Sequence, residues 1–271
     1  MRTALTIAGS DSSGGAGIQG DLKTFAALGV YGTCAVTAIT AQNTTGVIDL
    51  AAVSADLVTA QIEAIAGDIA IAAVKTGMLA NAAIVEAVAA AIAELELPNA
   101  VVDPVLVSTS GTRLLDADGV QMLISELLPR ARVVTPNLPE AEALSGRAIA
   151  SLADAREAAR RVHDMGPSAV VITGGHRRVA EGGVATVTDL LFDGRDFMEV
   201  TTERVAAGGA HGTGCAFASA VAAHLARGDA LPDAVAKAQR FVAGAMRAAV
   251  GIEHQGGYPP LHHFWGGILE A

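Results

Sequence analysis

Aromatic side chains make up only 3% of this 271-residue chain, and its 18 Lys and Arg are outnumbered by 28 Asp and Glu. A nucleic-acid binder carries a basic face and aromatic platforms for bases. A formal net charge of −10 with so few aromatics argues against that class. Cysteine is nearly absent. Cys34 and Cys215 are too few for a disulfide framework, which points to a reducing compartment. Long apolar runs are missing as well. The run within Met1–Ala8 ends at once in Gly9-Ser10-Asp11, too short for a signal peptide, and Glu86, Glu94 and Glu96 interrupt the alanine-rich Asn81–Leu97. There is no internal repeat, low-complexity tract or convincing linker, and His254, His262 and His263 lack companions at zinc-ligand spacing. The expectation is a single cytoplasmic domain over residues 1–271 that acts on a small molecule, with no nucleic-acid or membrane partner.

The hydrophobic content of 51% is ample for one large core. Short β-branched runs alternate with longer helical patterns. Strands are predicted at Ala4–Ala8, Thr33–Ala41, Ala72–Lys75, Ala100–Val105, Arg132–Thr135 and Ala169–Thr173, and helices at Ile18–Leu28, Ala55–Ala66, Ala80–Leu95, Ala117–Leu128, Leu152–Met165, Cys215–Ala226 and Ala230–Val250. Such alternation predicts an α/β fold with a mostly parallel sheet and helices on both faces. Asp193-Gly194-Arg195-Asp196, flanked by Ala185–Leu191 and Phe197–Thr201, predicts an antiparallel hairpin at one edge. Thr44–Val53 reads as a second extended excursion.

Ligands of such folds gather at strand C-terminal ends. The most informative of these segments is Gly208-Gly209-Ala210-His211-Gly212-Thr213-Gly214-Cys215, a glycine loop that opens a helix. Its N–H groups and the helix dipole suit an anion, phosphate above all. A thiol at that place is expected to ionise more easily than a free one, which makes Cys215 a potential base. His211 reads as structural. At the N-terminus, Gly15-Ala16-Gly17-Ile18-Gln19-Gly20 spells a dinucleotide fingerprint, but the acid required about 20 residues on is replaced by Thr40-Ala41-Gln42-Asn43. Gly9-x-x-x-x-Gly14 begins a phosphate loop yet lacks its Lys and Ser/Thr.

Thr135-Pro136-Asn137-Leu138-Pro139-Glu140 has the form of a helix start with a capping box. Asn137 and Glu140 also suit water and a hard cation beside phosphates, with Asp103 a second acid at a neighbouring strand end. Lys75 reads as a snorkelling side chain at a sheet edge. Thr173-Gly174-Gly175-His176 is a further glycine turn suited to nucleotide phosphates.

Taken in order, Ala4–Gln19, Asp21–Phe25, Thr40–Thr44, Gly77–Leu79, Asp103–Val105, Thr135–Glu142, Gly174–His176 and His211–Cys215 resemble the ribokinase-like superfamily of small-molecule kinases. More closely, they resemble the hydroxymethylpyrimidine/phosphomethylpyrimidine kinases of thiamine biosynthesis, from the first strand to the His262-His263-Phe264 tail. The resemblance implies a three-layer ribokinase-like fold and ATP- and Mg²⁺-dependent phosphorylation of 4-amino-5-hydroxymethyl-2-methylpyrimidine, then of its monophosphate. It implies a pyrimidine pocket of Gly9, Asp21, Gln42, Met78 and Val105, with Gln42 bonding the amine edge. Cys215 would be the base, and Gly212, Thr213 and Gly214 would stabilise the transferring phosphoryl. Thr173, Gly175 and Asn137 would meet the nucleotide, and Glu140 and Asp103 the metal. A homodimer fits the same pattern. Three stretches depart from it: Ser108-Thr109-Ser110-Gly111 and Thr173 stand where lysines are common, and Ala206–Ala210 replaces a more polar approach to the anion loop. Each departure removes hydrogen bonding or positive charge near the expected phosphates. A pyridoxine/pyridoxal kinase with the same cysteine, a non-catalytic pyrimidine binder and, more distantly, a NAD-dependent oxidoreductase are the alternatives.

Overall fold

The computed structural model describes residues 1–107, 111–178, 185–205, 210–249 and 256–267, with the backbone course alone for 175–178. The expectations for Ser108–Ser110, Ala206–Gly209, Val250 and His254 lie outside the described residues. Strands β1 (Thr3–Ala8), β2 (Tyr31–Val36), β5 (Ala73–Thr76), β6 (Ala100–Val102), β7 (Val133–Val134), β8 (Val170–Arg178), β9 (Thr186–Phe192) and β10 (Phe197–Glu203) form one sheet in the order β10-β9-β8-β7-β6-β5-β1-β2. Pairing is parallel from β2 through β8 and antiparallel for β9 and β10, the predicted edge hairpin.

Successive side chains on the central strands enter opposite layers, as a sheet covered on both faces requires. Leu5, Val102 and Val134 pack with residues of α2 (Ala55–Ala66), α3 (Ala82–Glu94) and α6 (Leu152–His163). Ala4, Val101 and Val133 pack on the other side with residues of α1 (Gly17–Ala27), α7 (Thr213–Ala226) and α8 (Leu231–Arg247). Helix α7 is buried throughout Ala216–Ala226, and its alanines let it lie close against the centre of the sheet. Its N-terminus therefore opens among the C-terminal ends of the central strands.

Three predicted elements differ in form. The single strand over Thr33–Ala41 is two, because β2 ends at Val36 and β3 (Ala38–Asn43) leaves the main sheet to pair antiparallel with β4 (Gly46–Ala52). The pivot is buried Thr37, whose N–H donates to Ala8 O at 3.0 Å and whose hydroxyl donates to Met78 O at 2.6 Å. The helix over Ala117–Leu128 is α4 (Ala117–Met122) followed by a π turn at Leu123–Leu127 and a 3-10 turn at Leu128–Arg130. Pro129 has no N–H to continue an α ladder there. Strand β6 stops at Val102, so Asp103-Pro104-Val105 is loop.

Strand β9 carries a buried acid. Asp189 accepts from Gly174 N at 2.6 Å and from Gln239 Nε2 at 2.9 Å, yet burial outweighs both and pushes its carboxyl from 3.8 up to about 6. The folded state holds that proton more tightly than the unfolded state. Its contribution is therefore fully present below 3.8 and is lost as pH rises through about 6. Urea midpoints of the wild type and Asp189→Asn are expected to differ in slope across this window, with the wild type falling more steeply as pH rises. Parallel profiles would remove Asp189 from the pH response.

Candidate active site

The anion loop and the first glycine loop interlock at the C-terminal ends of the strands. Gly212 is the N-cap of α7 at φ 84°, a left-handed conformation that disfavours any other residue, and a side chain there would run into the Gly15 carbonyl. Around this junction lies a cleft of about 310 Å³. Ala8 and Gly9 at the end of β1, Gln42 from β3, Met78 after β5 and Val105 after β6 line it together with Gly212, Thr213, Gly214 and Cys215. Asp103, Glu140, Asn137 and Thr173 line the same cleft. The β7–β8 register continues as a parallel bridge between Asn137 and Thr173, with Thr173 N donating to Pro136 O at 2.9 Å. Gly175 follows in β8, two residues beyond Thr173. Asn137 and Glu140 form the predicted capping box at the start of α5 (Leu138–Ser145), each backbone N–H donating to the other's side chain at 3.0 Å.

Asp21 is the exception among the expected pocket residues. It does not line the cleft. It is fully buried a layer behind, accepting from Thr6 Oγ1 at 2.6 Å, Ser219 Oγ at 2.7 Å and Lys75 Nζ at 2.9 and 3.0 Å. Lys75 is likewise no snorkelling side chain. It is fully buried, paired with Asp21 and 4.0 Å from Asp103, and it forms part of the cleft lining. A charged head in a central strand has no route to water, so it needs a carboxylate partner. Burial opposes its charge, but Asp21, then Cys215 and Asp103, outweigh burial and hold it above the ordinary amine range.

The thiol of Cys215 is also unlike the expectation. The α7 N-terminus does not win here: burial pushes the thiol up to about 12, with Asp103 and Asp21 adding to the rise and Lys75 and the Gly17 N–H opposing it. The protonated thiol lies beside Asp103 and helps to hold that carboxyl down. Burial, partly opposed by Lys75, raises Asp103 to about 6, and burial together with Asp103 raises Glu140 to about 8. The cleft floor thus holds more carboxylate than one ammonium balances. Among the described residues no cluster of three or more His, Cys, Asp and Glu could hold a metal by itself. Two neighbouring acids with surplus negative charge do suit Mg²⁺, which keeps several waters and takes its other ligands from phosphates.

Sequence reasoning passed over two further parts of the site. The tail residues Gly257 and Tyr258 line the cleft, held to the β3–β4 turn by Thr44 Oγ1 donating to Gly256 O at 2.9 Å. No periodicity or motif marks a tail as a cleft wall. Asp11 and His211, 200 positions apart, meet with His211 Nε2 and Asp11 Oδ2 at 2.7 Å. The lone histidine beside the anion loop was a signal for one half of that pair, and it supported only a structural role.

A doubly covered, mostly parallel sheet with an anion loop at the N-terminus of a central helix, facing a small-molecule cleft, defines a small-molecule kinase of the ribokinase-like fold. The phosphomethylpyrimidine kinase family profile matches residues 11–260, and the chain belongs to that family. It is 48% identical over 264 residues to the hydroxymethylpyrimidine/phosphomethylpyrimidine kinase of Rhizobium meliloti, covering 96% of each chain. It is 44% identical over 261 residues to the thiamine biosynthesis bifunctional protein ThiED of Geobacter sulfurreducens, covering 96% of this chain but only 52% of that relative. Among solved structures it is similar to the phosphomethylpyrimidine kinase of Clostridium difficile (TM-score 0.79, 37% identity, 91% of this chain and 100% of that one). It is similar also to the pyridoxal kinase of Bacillus subtilis in its ADP complex (TM-score 0.85, 37% identity, 97% of each). No helix among the described residues is long and apolar enough to cross a membrane.

Proposed function

We propose that this cleft transfers the γ-phosphoryl group of ATP to 4-amino-5-hydroxymethyl-2-methylpyrimidine and then to its monophosphate. The observation that carries the reading is that Gln42, Gly9 and Met78 line one cleft with Cys215 and with Gly212, Thr213 and Gly214 of the anion loop. An amide side chain offers both a donor and an acceptor to an aminopyrimidine edge. The loop amides and the α7 dipole are placed to stabilise charge on the transferring phosphoryl, where catalysis of this reaction chiefly lies. Thr173, Asn137 and Gly175 would meet the nucleotide. Glu140 and Asp103 would hold Mg²⁺ through water, where the ion would neutralise phosphate charge.

Cys215 serves as the proton acceptor. Because its sulfur is protonated at rest and stands beside Asp103, the proton of the attacking hydroxyl reaches sulfur as the thiol proton moves to Asp103. Lys75 balances the charge below. The hydroxyl grows acidic as its oxygen bonds to phosphorus, so the demand on this relay is small until late in the transfer.

The pyridoxal kinase likeness gives a second reading, in which the same cysteine and anion loop serve a pyridine substrate. A coupled ADP-release assay with hydroxymethylpyrimidine, its monophosphate, pyridoxal and pyridoxine side by side is expected to show turnover of the two pyrimidines. Turnover of pyridoxal alone would transfer the assignment to the second reading, and pyrimidine binding without ADP release would make the chain a non-catalytic binder. Light scattering on the same sample tests the homodimer.

A further inference from the structure

We infer that His211 and Asp11 form a clamp that positions the anion loop against the substrate floor, making His211 a positioning residue for phosphoryl transfer; this rests on the kinase reading above. Asp11 makes four contacts through its two carboxylate oxygens. Oδ1 accepts from Ser13 N at 2.9 Å and Ser13 Oγ at 2.7 Å, and Oδ2 accepts from Ala16 N at 2.8 Å and meets His211 Nε2 at 2.7 Å. Burial would raise this carboxyl, but His211 first, then Ser13 and Ala16, hold it down at about 2. Asp11 is therefore ionised, and Nε2 of His211 must carry the hydrogen and donate it.

The pair does more than close a loop. Three of the four contacts shape Ser12–Ala16, the turn between β1 and α1. The fourth reaches across to the residue that directly precedes the α7 N-cap. His211 itself is buried, packed against Gly15 so closely that a side chain at Gly15 would overlap the imidazole. On its other side the backbone is pinned, with His211 N donating to Pro259 O at 3.0 Å. The amides of Gly212–Gly214 and the thiol of Cys215 thus take their position from a charge-assisted contact on one side and the tail on the other. The clamp also bears on Gln42. Its Nε2 lies 3.4 Å from His211 Nε2, whose hydrogen is already given to Asp11, so an amide N–H placed there finds no acceptor. Gln42 Oε1 meets Thr40 Oγ1 at 3.2 Å, so it is the amide N–H of Gln42 that is left to find an acceptor in the cleft.

Displacement of reacting groups by about 1 Å costs on the order of 100-fold in rate. His211→Ala is accordingly expected to lower kcat about 100-fold while KM for hydroxymethylpyrimidine changes little. His211→Gln, whose Nε2 stands near the place of the imidazole Nε2 and still donates, should recover about tenfold or more of that loss. Asp11→Asn should cost about as much as His211→Ala, and the double variant little more than either, as expected for one coupled unit. Hydrogen exchange of the peptide covering residues 211–217 should quicken in His211→Ala and return toward wild type in His211→Gln. Three results would overturn the clamp: kcat of His211→Ala near wild type, equal impairment of the Ala and Gln variants, or a rise in KM at constant kcat, which would make His211 a substrate ligand. If the wild type turns over none of the four substrates, the kinase reading fails, and the exchange data still decide whether the clamp orders the loop. If His211→Ala does not fold, the comparison of Asp11→Asn with His211→Gln decides, and similar wild-type behaviour in both would sink the proposal.

Discussion

Replacing Cys215 with alanine lowers kcat by about 10²- to 10⁴-fold, the range expected for loss of a general base, and leaves pyrimidine binding nearly unchanged. The split between kcat and binding follows from where the residue sits. Gly9, Gln42, Met78 and Val105, the proposed pyrimidine pocket, line the cleft and remain, whereas the sulfur is the proposed proton acceptor beside Asp103. Cys215→Asp should retain more activity than Cys215→Ala, because a carboxylate accepts a proton without a relay. It should still fall short of wild type, since a third carboxylate then faces Asp103 and Asp21 over one ammonium. Single-turnover kinetics with calorimetric binding would check this. Turnover of Cys215→Ala near that of the wild type would remove the thiol from the mechanism, and a proportional loss of binding would make it a pocket wall.

The second large effect concerns the layer below. Lys75→Met is expected to destabilise the protein by about 3 kcal/mol, the lower part of the range for removing one partner of a buried ion pair. Asp21 would stay fully buried with its charge uncompensated, but Thr6 Oγ1 and Ser219 Oγ still donate to it, which is why the lower part applies. For a chain of this size that corresponds to a fall in Tm of roughly 5 °C. Adding Asp21→Asn should restore much of the loss, because the amide needs no counter-charge. The activity consequence is separate: without the ammonium, the relay from Cys215 to Asp103 has nothing positive beneath it. Thermal melts of the single and double variants decide the matter. A melt of Lys75→Met within about 2 °C of wild type would mean that Asp21 is protonated or rearranged rather than paired.

These two residues also show why the site was only half legible beforehand. Cys215 could be placed at an anion loop from its glycines and the helical pattern that follows, since both are local in sequence. Its proton affinity could not, because that depends on Lys75 of β5 and Asp103 of the loop after β6, and on how completely the cleft walls exclude water. Lys75 was conspicuous as a charge within an apolar run, but a charge is read as exposed unless its partner is known, and Asp21 lies 54 positions away. Asp21 was expected in the pocket because it belongs to a matching block. The fold turns it behind the pocket, where the side chains of β1, β5 and α7 converge on it.

The amino-acid sequence by itself determined the layered α/β architecture, the edge hairpin, the capping box at Asn137 and Glu140, and the family. Each of these rests on periodicity, turn chemistry or ordered blocks of residues that survive in one dimension. Tertiary structure alone decided the division of Thr33–Ala41 between two sheets, the buried ion pair of Lys75 with Asp21 and the protonated state of Cys215. It also decided the contact between Asp11 and His211 across 200 positions. These depend on desolvation and on charges brought together by chain crossing, and neither quantity has a value until the strands are side by side.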